Sequence, residues 1–294
     1  MTATDPQPTN GASSGQAGER PASRLGRDFG TRLVSGLVLA AGALGLTYAG
    51  TVPFGLLVLV VTLIVSWEWG SIVRKAGADT IFVLHAGAVF VAVVLSLAGL
   101  PALGIVAVIV GAILAALLGF ERLGRISGLG VLYAGLPAIA LIWIRASVPF
   151  GFEAALFLLL CIWASDTGAY LAGRTIGGPK LMPAVSPNKT WSGLIGGTFA
   201  SLLVALAFGL SMANLPIGRL LATAAILAVI SQAGDLMESA LKRWHGVKDA
   251  SGLIPGHGGF MDRVDGLIFA AIAAAMFAAA VNVYHPAQAI LTWQ

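Results

Sequence analysis

Residues 101–120 read PALGIVAVIVGAILAALLGF, twenty consecutive positions with no charged side chain. A helix of this composition is apolar on every face, as lipid-facing helices are and surface helices of water-soluble domains are not. With a window of about 19 residues, similar stretches recur on both sides, near 33–50, 52–73, 81–99, 127–147, 153–173, 192–213, 219–241 and 264–284. The expected fold is therefore an all-α integral membrane protein of about nine transmembrane helices. Pro53, Pro101, Pro149 and Pro216 fall at or beside the proposed boundaries, where a missing amide donor is tolerated.

The whole chain agrees with its central stretch. Of 294 residues, 57% are hydrophobic and only 10% charged, with a mean hydropathy of +0.90, which leaves too little charge to cover a soluble surface. The single cysteine, Cys161, lies in an apolar run; it permits no intramolecular disulfide or thiolate zinc site and reads as a small buried hydrophobe. Residues 1–30 are rich in Thr, Ser, Gly, Pro and Gln and read as a disordered tail. The chain then divides into an N-terminal transmembrane region, 31–150, of about five helices and a C-terminal catalytic region, 151–294, of about four.

Basic residues set the orientation. Arg20, Arg24, Arg27 and Arg32 precede the first span, and Arg74, Lys75, Arg122, Arg125, Arg174, Lys180, Lys189, Lys242, Arg243, Lys248 and Arg263 follow even-numbered spans. Fifteen of the seventeen basic residues thus fall on one side, leaving Arg145 and Arg219 on the other. The positive-inside rule makes the N-terminus and the even-numbered loops cytoplasmic and the C-terminus external. Dispersed between apolar spans, these charges do not form the single basic face that nucleic-acid binding requires, despite a pI near 9.5.

Three sections break the apolar pattern, all on the predicted cytoplasmic side of the second half. The first is Ser165-Asp166-Thr167-Gly168-Ala169-Tyr170, whose aspartate is costly at membrane depth unless paired or functional. The second runs from Gly177 to Gly193 and includes Lys180, Ser186, Asn188, Lys189 and Thr190, a mixture of hydroxyl, amide, ammonium and glycine suited to gripping phosphates. The third, Asp235 to Asp265, holds five of the thirteen carboxylates. On a helix, Asp235, Glu238 and Lys242 share one face, as do Asp262 and Asp265. Such pairs offer hard oxygen ligands for Mg2+, which favours a few carboxylates supplemented by substrate phosphates and water. Gly256-His257-Gly258-Gly259 suits an anion-binding turn. By contrast, His85 reads as a packed histidine, Trp67, Trp69, Trp191 and Trp244 as interfacial anchors, and Gly193 to Gly197 as helix-packing contacts.

The order Ser239-Ala-Leu-Lys-Arg, Lys248-Asp249 and Pro255-Gly-His-Gly-Gly-Phe-Met-Asp-Arg-Val-Asp265 resembles the signature of the phosphatidate cytidylyltransferases, with Asp166-Thr-Gly-Ala-Tyr and Ser186-Pro-Asn-Lys-Thr similar to two further blocks of that family. The resemblance covers roughly residues 160–270. It implies transfer of a cytidylyl group from CTP to phosphatidic acid, giving CDP-diacylglycerol and pyrophosphate, at an inner-membrane site facing the cytoplasm. It further implies Mg2+, with a monovalent cation such as K+ beside it, at Asp235 and Asp262, with Asp265 and Asp166 next in line, and a homodimer. Asp235, Asp262, Lys248 and His257 are the expected catalytic residues. Ser186, Asn188, Lys189, Thr190, Lys242, Arg243, Gly258, Gly259 and Arg263 are expected to bind substrate.

Two other classes accommodate parts of the pattern. A CTP-dependent polyprenol or lipid-alcohol kinase would attack the γ rather than the α phosphorus, and it is a weaker match to the terminal signature. A secondary transporter would place intramembrane acids along an ion path. The polar residues here gather at one face of the membrane instead. No P-loop and no dinucleotide-binding glycine fingerprint occurs.

Overall fold

Apolar runs separated by short polar connections become helices, because in lipid each backbone N–H and C=O must find its partner within the span. The computed structural model describes residues 22–119, 121–212, 215–253 and 258–294. Its helices are α1 (Ala22–Ala49), α2 (Thr51–Val73), α3 (Thr80–Leu97), α4 (Pro101–Leu118), α5 (Glu121–Ala146) and α6 (Gly151–Thr175), followed after a hairpin by α7 (Trp191–Ser211), α8 (Ile217–Trp244), α9 (Met261–Val281) and the short α10 (Pro286–Thr292). Each expected span coincides with one of α1 to α9. Among the described residues eight helices, α2 to α9, are long and apolar enough to cross a membrane, while the apolar part of α1, Gly36–Ala49, is shorter.

Two local features differ from the sequence reading. Helix α1 starts at Ala22, inside the stretch read as a disordered tail, because each residue added to an existing helix gains one backbone bond; residues 1–21 lie outside the described residues. The Gly177–Gly193 section is not wholly loop. Strands β1 (Lys180–Met182) and β2 (Ser186–Thr190) pair antiparallel, Lys180 opposite Thr190 and Met182 opposite Ser186. Strand β2 ends in a helix cap: the Thr190 hydroxyl accepts a hydrogen bond from the Gly193 amide at 3.1 Å, which starts α7.

Large apolar side chains are exposed along the outer faces, among them Val106 and Leu117 on α4 and Phe199 and Leu203 on α7. That is the inverse of a soluble surface and the expected one for helices whose solvent is lipid. The main core joins α2, α5, α6, α8, α9 and α10 around Phe157, Ile142, Leu158, Leu220 and Met261; a smaller one sits between α3, α4 and α5 at Ala92, Val108 and Val131. Helices α6 and α7 pack closely. A Cβ at Gly168 would lie 2.7 Å from the Gly196 carbonyl oxygen, so small residues set this approach, as helix packing in lipid requires.

The first half is tied together by polar contacts the sequence reading did not assign. Arg74 pairs with Asp79 at 2.7 Å and donates to the Ser127 hydroxyl at 3.2 Å; His85, fully buried, sits 2.7 Å from the Ser127 carbonyl oxygen. Trp69 is not an interfacial anchor. It is 5% exposed, donates to the Ile126 carbonyl at 3.1 Å and stacks on Tyr133 with 5.0 Å between ring centres. Trp191 and Trp244 are exposed, as an anchor must be.

Candidate active site

The polar end of one cavity gathers residues from four parts of the chain. Its volume is about 1200 Å³. At one end stand Asp166 and Thr167 of α6, Lys180 of β1, Asn188, Lys189 and Thr190 of β2, Gln232 and Asp235 of α8, and Asp262, Arg263 and Asp265 of α9. The rest of its wall is apolar: Leu39 and Ala43 of α1, Leu57 and Val61 of α2, Pro137 and Leu141 of α5, and Leu159 of α6. A single space therefore joins an ionic head to a hydrocarbon-like wall.

The ionic end is a network rather than a set of separate charges. Lys189 Nζ lies 2.8 Å from Asp235 Oδ2 and donates to the Gln232 carbonyl at 3.4 Å, so the hairpin is clamped to α8. Lys242 Nζ lies 2.8 Å from Glu238 Oε1, one helical turn back, and also donates to Asp262 Oδ1, which links α8 to α9. The other Asp262 oxygen accepts the amides of Gly259 at 2.9 Å and Ala250 at 3.1 Å. Gly258 takes a left-handed φ of +82°, which a side chain rarely adopts, and so turns the loop into that position.

The expected site residues thus separate into groups. Asp166, Asn188, Lys189, Thr190, Asp235, Asp262, Arg263 and Asp265 share the cavity. Lys242 sits behind it, holding Glu238 and Asp262. Thr190 uses its hydroxyl as the α7 cap, and its oxygen lies 2.9 Å from the Ser192 hydroxyl. Ser186 lies further along β2 and does not line the cavity. Arg243 and Lys248 are exposed and do not line it either: Arg243 follows Lys242 in the last turn of α8 and points away from the face that carries Asp235, Glu238 and Lys242, and Lys248 lies beyond the end of that helix. Gly258 and Gly259 shape the turn before α9, and His257 lies outside the described residues.

Two participants escaped the sequence reading. Gln232 precedes Asp235 by three residues, on the same helical face, and its amide nitrogen donates to Ser165 Oγ and the Leu194 carbonyl, both at 3.4 Å. The offset was legible; the partners were not. Glu68, in the last two turns of the apolar helix α2, meets the start of α9, and a buried carboxylate in such a span was a signal on its own.

The donor set can be tested against a divalent cation. Among the described residues Asp235 Oδ1 is buried without a hydrogen-bond partner, as is Glu238 Oε2, and Asp265 faces both of these groups. Carboxyl oxygens that face one another without a donor between them need a proton or a cation there. Among the described residues no three His, Cys, Asp or Glu side chains form a closed cage. Mg2+ requires none, since one or two carboxylates suffice when water and phosphate complete its shell. The residues present fit the ion.

A phosphatidate cytidylyltransferase of Brucella suis is 40% identical over 256 residues, 85% of this chain and 93% of that protein, and one of Brucella melitensis is 39% identical over 253 residues with the same coverage. One from Staphylococcus aureus is 47% identical over 120 residues, 40% of this chain and 46% of that protein. The model of the cytidylyltransferase family matches residues 30–281, from α1 to the end of α9 and across every element that lines the cavity, and the chain belongs to that family.

Proposed function

We propose that this protein transfers the cytidylyl group of CTP to phosphatidic acid, releasing pyrophosphate and CDP-diacylglycerol. The observation that carries the reading is the shared cavity, ionic at one end and apolar along its wall, which suits two polyanions of which one bears acyl chains. A phosphate oxygen of phosphatidic acid attacks the α-phosphorus of CTP in line; the new P–O bond forms as the bond to the β-phosphate oxygen breaks, and pyrophosphate leaves with that electron pair. The attacking phosphate is already ionised near neutral pH, so no strong base is needed. The protein's contribution is to align the reactants and to offset charge in the transition state.

Lys189 and Arg263 are the phosphate-binding cations at the cavity, and Asn188 supplies an amide beside them. Lys180 guards the rim. Asp235 and Asp262 would hold Mg2+, with Asp265 and Asp166 alongside, and K+ would be a second, monovalent ion. Such an ion would offset the negative charge that develops on the phosphate oxygens. Lys189 is held by Asp235 in the absence of substrate, so its ammonium would have to turn from that carboxylate to bind phosphate.

Lipid enters sideways from the bilayer along α1, α2 and α5. The ionic end faces the cytoplasm, where CTP is available; the distribution of basic residues supports this, and the bacterial relatives support an inner-membrane location. The homodimer that the family resemblance implies belongs to the same reading. Purified protein supplied with CTP, phosphatidic acid and Mg2+ should release pyrophosphate and form CDP-diacylglycerol. Release of CDP with a phosphorylated lipid alcohol would instead mark a kinase, and solute uptake by sealed vesicles without nucleotide a transporter.

A further inference from the structure

Besides lining the apolar wall, the first half of the chain sends a carboxylate to the ionic end of the site. Glu68 lies in α2, far in sequence from every motif above, and is fully buried. A carboxylate in an apolar span is costly unless it is paired or functional. Its partners among the described residues are three donors from the loop before α9 and from the start of that helix. Oε1 accepts the Ser251 hydroxyl at 2.5 Å and the Phe260 amide at 2.9 Å, and Oε2 accepts the Met261 amide at 2.6 Å.

Those two amides belong to the first turn of α9, whose free N–H groups receive no cap from the side chain of Phe260, the residue at its N-cap. A negative charge there is further stabilised by the helix dipole. The fit is tight: a Cβ on Gly259 would lie 2.5 Å from Glu68 Oε1 and 2.9 Å from the Ala250 Cβ. Three consecutive amides are thus fully assigned, Gly259 to Asp262 and the next two to Glu68. Asp262 and Arg263, which follow at once, line the cavity.

We infer that Glu68 is a positioning residue: by capping α9 from α2, it fixes where Asp262 and Arg263 stand relative to Asp235. The effect on turnover rests on the reading of the cavity as the cytidylyl-transfer site, whereas the capping itself does not. Glu68→Gln keeps size but sets an amide NH2 against a backbone donor, since both oxygens of the native group accept. In membrane-reconstituted protein, kcat should fall about 100-fold, the scale of a small misplacement of catalytic groups, with KM for CTP changed less than kcat. Hydrogen exchange at the Phe260 and Met261 amides should accelerate at least about tenfold.

Ser66→Ala serves as the packing control; Ser66 is buried on the same helix, and among the described residues its hydroxyl bonds to the backbone of that helix, at the Thr62 carbonyl. It should leave kcat and exchange near wild type. Gly259→Ala, which crowds the carboxylate without altering it, should reproduce the kcat loss, and it decides the matter if Glu68→Gln does not fold. Unchanged exchange in Glu68→Gln, kcat within threefold of wild type in either variant, or an equal loss in Ser66→Ala would overturn the inference. A wild-type protein that releases no pyrophosphate would instead refute the proposed reaction, and the exchange data would still decide whether Glu68 caps α9.

Discussion

Lys189 and Asp235, 46 positions apart, form a 2.8 Å ion pair that fastens the second hairpin strand to α8. Both side chains are largely shielded, and the other Asp235 oxygen is buried without a partner among the described residues. Removing the ammonium therefore does two things: it deprives substrate of a phosphate ligand and leaves a carboxylate uncompensated. Lys189→Gln should lower kcat/KM for CTP by roughly 2 to 4 kcal/mol in transition-state terms, the scale of one preorganised charge-stabilising group. Lys189→Arg should recover only part, because a planar fork replaces a compact point charge. Lys75→Gln is the control, since Lys75 only donates to the His245 carbonyl at the surface. Equal effects at Lys75 and Lys189 would reduce the hairpin to an ordinary connector.

Asp262 has both oxygens engaged, one by Lys242 and one by the Gly259 and Ala250 amides. Asp262→Asn presents an NH2 group to at least one of these donors and removes a charge from the ion site. Turnover should fall by two or more orders of magnitude, and added Mg2+ should restore little of it. The check is pyrophosphate release from equal amounts of folded protein; near-normal turnover in both Asp262→Asn and Asp235→Asn would dismiss the carboxylate site.

Helix α9 starts at the ionic end of the cavity, with Asp262, and runs 21 residues, about 31 Å at 1.5 Å per residue, to its far end. The hairpin and the C-terminus should consequently lie on opposite faces of the membrane. A cytoplasmic reporter inserted after Lys180 should be active, and one fused after Gln294 silent. Activity of both would refute the orientation proposed from the basic residues.

The Arg74 guanidinium beside Asp79 holds its carboxyl below the usual aspartate range, chiefly through the side-chain hydrogen bonds between them. A depressed acid stabilises the fold wherever the unfolded carboxyl would also be ionised, and that contribution disappears as pH falls through the folded value. Asp79 also caps α3 by accepting the Phe82 amide at 2.7 Å. Thermal unfolding of Asp79→Asn should therefore show a lower Tm than wild type at neutral pH. Asn can keep the cap, so the gap should narrow in acid below the ordinary aspartate range, and a gap independent of pH would show that the Asp79 charge is not its source.

The sequence by itself determined the class of fold, because in lipid an uncharged run has no option but a helix, and it located the chemistry, because carboxylates and lysines are too costly at that depth to be incidental. It placed Asp235, Glu238 and Lys242 on one face through helical periodicity alone. Tertiary structure decided which of those groups meet. Lys242 turned from a phosphate ligand into a tether between Glu238 and Asp262; Arg243 and Lys248, close to it in sequence, were left outside the cavity; and Ser186-to-Thr190 became a strand ending in a helix cap. Glu68 marks the limit most clearly. Its cost was visible in an apolar span, but its partners stand more than 180 residues away, and no local pattern encodes which two helices will pack so that one carboxylate closes the first turn of another.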